Sequence, residues 1–185
     1  MKPVTREEIL DLTAYEKARP EIRARAMAAK EPRRVHLGDA LTFLFENRET
    51  ARYQIQEMIR AERMVKDADI DHEIQTYNEM LGGPGELGAV LLIEYADPAV
   101  RDRRLRELLG LPQRLYVKTA QGRRVPATYD ARQVGADRLS SVQYLKFDTH
   151  GEAPVAVGAD HPALTLEVPL TPEQQAALRA DLATG

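Results

Sequence analysis

Seven polar residues with chemical potential crowd one short stretch: Glu46, Arg48, Thr50, Tyr53, Glu57, Arg60 and Glu62. The spacing predicts a helix over Arg48 to about Val65, with Asn47 as its cap, because an Asn side chain accepts from the orphan N–H groups of a first turn. On that helix Thr50, Tyr53, Glu57, Arg60 and Met64 form one row, which Glu46 enters from the same side. Tyr53 and Glu57 are four residues apart, Glu57 and Arg60 three, so each pair is in side-chain reach. A phenol, a carboxylate and a guanidinium so placed can bind a polar ligand, hold a protein partner or move a proton. A salt-bridged face turned to water or to a partner chain is the plainer use of such a row.

The opposite side of the helix is apolar: Ala51, Ile55, Met58, Ile59 and Val65, flanked by Ala61. This stripe is expected to pack on a sheet. Arg48 and Glu62 intrude on it. They lie roughly 21 Å apart at ~1.5 Å per residue, too far to pair with each other. Glu62 is therefore expected partly buried and paired with an arginine from another element. Glu57, on the other row, is expected at the surface. Asp69 is read as the cap of a second helix, Ile70 to Leu81, with Ile70, Ile74, Tyr77 and Leu81 on its buried stripe. Gly82-Gly83-Pro84-Gly85 stops it.

Other chemistry is poorly supported. The histidines are His36, His72, His150 and His161. A carboxylate-bridged di-iron bundle needs Glu-x-x-His on two helices, and only Asp69-x-x-His72 approaches that. His72-Glu73 lacks the second His of a zinc-protease helix. His161 joins the candidate face because it could meet Glu46, Glu57 or Glu62 in a mononuclear site, but no spacing requires that, and no metal is assigned. Ser140 has no nucleophile-elbow sequence around it. The glycines from 82 to 88 lead into a strand and lack Gly-Lys-Ser/Thr, which excludes a phosphate loop. Absence of cysteine excludes disulfides, thiolate metal sites and all-Cys iron–sulfur ligation.

A chain of 185 residues, 43% apolar and 30% charged, reads as a single globular domain. Residues 1–32 are expected as a helical appendage and 33–185 as the α+β core. A net charge of −3 gives no general attraction to nucleic acid. The basic run through Lys17, Arg19, Arg23, Arg25, Lys30, Arg33 and Arg34 has no interleaved aromatics for base stacking. No apolar run reaches the ~20 residues of a membrane span, and MKPVTREEIL has no signal-peptide core, which points to the cytoplasm.

Thr5-Arg6-Glu7-Glu8 fits a capping box, so a short helix with Ile9 and Leu12 is expected there, with another from Pro20 to about Lys30. Arg34–Leu37 and Leu41–Phe45 read as strands around Gly38-Asp39. LGAVLLI, Leu87 to Ile93, suits a central strand. Asp97-Pro98 opens a helix that Gly110 ends. Strands follow at 114–120 and 123–127 around Gln121-Gly122, then at 142–147, 155–157 and 164–168. Thr171-Pro172-Glu173 opens a last helix. About seven strands with helices between and at both ends favour an α+β fold. A mixed or mainly antiparallel sheet would carry the long polar helix and the second helix.

Phe45-Glu46-Asn47-Arg48, Thr50, Tyr53-Gln54-Ile55-Gln56-Glu57-Met58, Arg60 and Glu62 together resemble the signature of a bacterial family catalogued as domain of unknown function 3501. Tyr77-Asn78, Ile93-Glu94 and Asp160-His161-Pro162 are similar to its later landmarks, so the resemblance covers nearly the whole chain. One departure is Met80-Leu81-Gly82-Gly83, which delays the proline expected after Tyr77-Asn78. The resemblance carries over no catalytic residue and no cofactor. It implies a redox or peroxide-stress setting, because members are often encoded beside rubrerythrin-like and iron–sulfur oxidoreductase-like proteins. Two function classes follow: an accessory protein whose polar row holds such a partner or a second copy of the chain, and an enzyme or ligand-binding domain using Tyr53, Glu57 and Arg60.

Overall fold

Alternation along one strand decides the layering. In β2 (Leu41–Glu46), Leu41, Phe43 and Phe45 point to one side and Thr42, Leu44 and Glu46 to the other. All six are buried, so both faces of the strand are covered. The computed structural model describes residues 1–130 and 135–184. Among them β2 is the second strand of a five-stranded antiparallel sheet. Its order is β1 (Arg34–Leu37), β2, β3 (Glu86–Ile93), β7 (Val142–Asp148), β6 (Thr128–Tyr129). LGAVLLI is its central strand, as expected, with Phe45 opposite Ala89 and Ala89 opposite Leu145.

The expected single sheet is two. β5 (Arg124–Pro126), β4 (Leu115–Thr119), β8 (Pro154–His161) and β9 (Leu164–Pro169) form a four-stranded antiparallel sheet. The core lies between the sheets: Phe43, Phe45, Leu91 and Phe147 from one, Val117 and Val157 from the other. The three Phe rings have centroids 6.1–6.3 Å apart. Leu105 and Leu108, from and just past α4 (Pro98–Glu107), join this core, as does Leu178 of α5 (Pro172–Ala183). The fold is α+β.

The other face of the five-stranded sheet carries the helices. α1 (Leu12–Lys30) starts at Asp11, whose side chain accepts from Ala14 N–H. It runs unbroken through Pro20, where the sequence suggested two separate helices. Pro20 removes one helical donor, but Tyr15, Ile22 and Ala26 pack on Tyr53 across both halves and hold them in line. The early capping box forms only a 3-10 turn at Arg6–Glu8, and Leu12 is exposed at 38%. Residues 1–32 thus contribute buried contacts through Val4, Ile9, Tyr15, Ile22 and Ala26.

α2 (Arg48–Glu62) is capped by Asn47, which accepts from Thr50 N–H. It ends earlier than the periodicity predicts. Arg63 adopts φ 49°, in the left-handed region, and its N–H turns back to Ile59 and Arg60 carbonyls. Val65 therefore leaves the stripe and is 84% exposed. α3 (Asp67–Met80) begins before the expected Asp69 cap, with Lys66 in the cap position.

The stripe does not pack on the sheet. Ala51, Ile55 and Ile59 meet Ile70, Ile74 and Leu81 of the α3 region, with Val4 and Ile9 of the N-terminal segment. Leu91 lies in the separate inter-sheet core. The physical reason is that the second sheet already covers the apolar face of β3. Gly88 sets how closely the end of α3 approaches that strand: a Cβ there would lie 2.0 Å from the Met80 carbonyl oxygen.

Candidate functional site

The polar row of α2 faces α1. Glu57 receives Arg19 Nε and Nη2, each at 2.8 Å, and the Tyr15 hydroxyl at 2.7 Å. The Arg19 guanidinium holds the Glu57 carboxyl at about 2, well below the usual carboxylate range, with the Tyr15 hydroxyl adding to the effect. Burial, and the hydrogen bond to Glu57, push the Tyr15 hydroxyl upward. Arg60 Nε donates to Glu16 at 2.7 Å. Tyr53 is buried beside Tyr15, Ile22 and Ala26, and Lys30 Nζ stands 5.6 Å from its ring centroid. The row that spacing offered as a ligand or partner face is thus an intramolecular helix–helix seam.

Two expected positions are reversed. Glu62 is exposed in the last turn of α2 and has no ion pair among the described residues. The helix stops there, so the carboxylate reaches water and needs no arginine. Glu57, expected at the surface, is the carboxylate with the arginine. Arg48 escapes the stripe by turning to the N-terminal segment, where it pairs with Glu8 and donates to the Pro3 carbonyl at 3.3 Å.

His161 lies in the other sheet, at the end of β8. Its Nδ1 accepts from Ala163 N–H at 3.1 Å, which leaves Nε2 to donate to the Leu109 carbonyl at 3.1 Å. Both ring nitrogens are engaged, and no acid of the α2 row is among their partners. Among the described residues no three His, Asp or Glu side chains are grouped to hold a metal.

Glu46 and Thr50 do come together. Glu46 is 2% exposed, at the end of β2 beside Gly88. Thr50 Oγ1 donates to its Oε2, and Gln54 Nε2 donates to its Oε1 at 3.2 Å. Both partners are neutral, and among the described residues no cation pairs with it. Burial raises the Glu46 carboxyl, against Thr50 and the more distant charges of Lys30 and Arg33. Lys30 is half-buried and its ammonium is lowered, also by burial. A charged group in low dielectric with only neutral donors is costly, and such groups mark candidate sites.

The surroundings of Glu46 lead outward. Tyr77 of α3 is pushed up to about 12, mainly by burial, then by Glu73, Tyr144 and Glu46. Tyr144 is 36% exposed and lines a cleft of about 350 Å³ between α3 and strands β6 and β7. Thr76, Met80, Thr128, Tyr129 and Lys146 also line it. In register, Glu46, Gly88 and Lys146 follow one another across three strands on the helix side of the sheet. Lys146 in the cleft wall thus stands two strands from the buried Glu46, with Gly88 between them under the end of α3.

Sequence reasoning missed Tyr15 and Arg19, although they stand four apart and precede Pro20; reading Pro20 as a helix start cut them from α2. It also missed Lys30 as a charge near Glu46, because α1 comes there only through tertiary packing, and Lys146, which strand register places two strands from Glu46. The link from His36 Nδ1 to Thr42 Oγ1 at 3.0 Å, and from Thr42 to Glu94 at 2.7 Å, likewise follows from strand register and had no local signal.

No curated protein matches the chain. Among solved structures it is similar to a novel protein of unknown function from Burkholderia pseudomallei K96243. That crystal structure is 30% identical, has a TM-score of 0.88, and is matched over 98% of this chain and 100% of that one. A family model described as a protein of unknown function, DUF3501, matches residues 3–182. The chain therefore belongs to the DUF3501 family, as its Phe45–Arg48 and Tyr53–Met58 runs imply.

Proposed function

We propose that the protein is a non-catalytic binding protein, accessory to redox partners. Its working site is the cleft between α3 and β6–β7, backed by Glu46. The observation that carries this reading is Glu46 itself: a carboxylate 2% exposed, held by two neutral donors. A bound cationic group in that cleft would act on the buried carboxylate across Gly88, where the fold supplies only neutral donors. The cleft wall joins aromatic, thioether and charged side chains, which suits a small amphipathic ligand. The redox setting, with a rubrerythrin-like or iron–sulfur oxidoreductase-like partner, rests on the family resemblance alone. An enzyme using Tyr53, Glu57 and Arg60 has less support, because α1 already occupies all three. Native mass spectrometry of the protein purified from its own host tests the reading. A stoichiometric small-molecule adduct is expected; bare protein in every preparation overturns it.

A further inference from the structure

The segment before α1 is held in the way a docked peptide is held. Asn78 of α3 accepts from Val4 N–H at 2.8 Å and donates to the Val4 carbonyl at 2.9 Å. Gln56 of α2 does the same to Leu10, at 2.7 Å and 3.3 Å. Side-chain amides that satisfy both backbone groups of one residue take the place of a neighbouring strand. Between the two clamps, Val4 and Ile9 enter the apolar cluster of Ile55, Ile59, Ile70 and Ile74. Charges fix the direction of the segment. Arg6 meets Asp67 at 3.1 Å and Asp71 at 3.8 Å, and Glu8 meets Arg48.

All of these partners belong to α2 or α3. The segment joins the rest of the chain at Asp11, the cap of α1, and α1 has its own attachment to α2 through Glu57 and Arg60. The groove therefore reads a pattern, apolar–x–basic–x–acidic–apolar, whichever chain supplies it.

We propose that the α2–α3 groove is an interaction surface for a second copy of this chain, formed by reciprocal exchange of residues 3–10. The second copy is the occupant the groove fits by construction: it carries the same anchors and the same order of charges. Exchange keeps every clamp and ion pair and changes only the hinge at Leu10–Asp11, the low-cost route to a two-fold dimer. The segment's own chain holds it at high effective concentration, so exchange grows with protein concentration.

The absence of cysteine permits a direct test. Arg6→Cys and Asp67→Cys each replace one member of an exposed pair, with side chains 42% and 86% accessible. When the two single variants are mixed with a short bis-maleimide, which spans the length of the arginine side chain as a disulfide does not, a link between Arg6→Cys and Asp67→Cys chains forms only in trans. The expected result is a covalent heterodimer well above that from Arg6→Cys mixed with an exposed Glu173→Cys control, suppressed by excess synthetic peptide of residues 2–11. A heterodimer no more abundant than the control overturns the proposal, as does one that the peptide leaves unchanged. In the double variant, closure within one chain while the mixture gives no heterodimer would show that the groove takes only its own segment. Binding of labelled peptide without any heterodimer would make a foreign segment, not a second copy, the partner.

Discussion

Arg19 grips Glu57 along one edge of its guanidinium, Nε to Oε1 and Nη2 to Oε2, both at 2.8 Å. This pair turns the polar row of α2 into the seam that carries α1. Glu57→Ala removes the acceptor for Arg19 and for the Tyr15 hydroxyl, whose residue has 0% exposure. The expected cost is ~2–3 kcal/mol, the scale for hydrogen bonds to a charged group. Glu62→Ala, at the frayed end of α2, should stay within ~0.5 kcal/mol. Urea denaturation of both variants checks the order; equal losses would contradict the seam.

The two acids should respond to pH with opposite sign. The folded-state carboxyl of Glu57 is lowered to about 2 from a usual value of 4.5. Its stabilisation is therefore full above the usual value and lost as pH falls from 4.5 toward 2. Glu46 is raised, so folding favours its protonated form, and its contribution is lost as pH rises from the usual carboxylate value through the raised one. Denaturation midpoints across pH, compared with Glu57→Gln and Glu46→Gln, should show each variant flattening one of these slopes. A Glu46→Gln protein with the wild-type profile would show that Glu46 titrates as an ordinary acid.

The Arg33–Asp181 pair fastens α5 to the start of β1, with contacts of 2.7 and 2.8 Å. Both residues are buried, at 8% and 6% exposure. Asp181→Ala leaves a buried guanidinium without its acid and should cost ~3–5 kcal/mol. Replacing both, Arg33→Met with Asp181→Leu, should cost less than the single change. Thermal or chemical melts of the two variants decide it.

Gly88→Ala should destabilise by ~1–3 kcal/mol, the scale of overpacking, because its Cβ would meet the Met80 carbonyl at 2.0 Å. Hydrogen exchange should localise the damage to the end of α3, the wall of the proposed cleft. Unchanged protection there would mean that α3 is not seated on β3 as described.

Local rules made much of this fold legible. Caps at Asn47, Asp97 and Thr171 formed as the residue types predict. The uninterrupted run of β3 marked a central strand. Reading failed where tertiary packing overrode local signals. Pro20 was tolerated because one face of α1 is anchored along its length, and Val65 left its helix because Arg63 turned left-handed. That turn left Glu62 at the surface, while the unbroken α1 brought Tyr15 and Arg19 onto Glu57. For the site, Glu46 and Thr50 were legible as neighbours at a helix start. The depth of Glu46, and the cleft two strands away, arise from strand order and the seating of α3, which no spacing along the chain encodes.

The most direct test of the account compares three proteins purified from the native host by native mass spectrometry: wild type, Glu46→Gln and Glu57→Gln. An adduct is expected on wild type and on Glu57→Gln, and its loss from Glu46→Gln. An adduct that survives Glu46→Gln but disappears with Glu57→Gln would return the site to the α2 row and contradict the account.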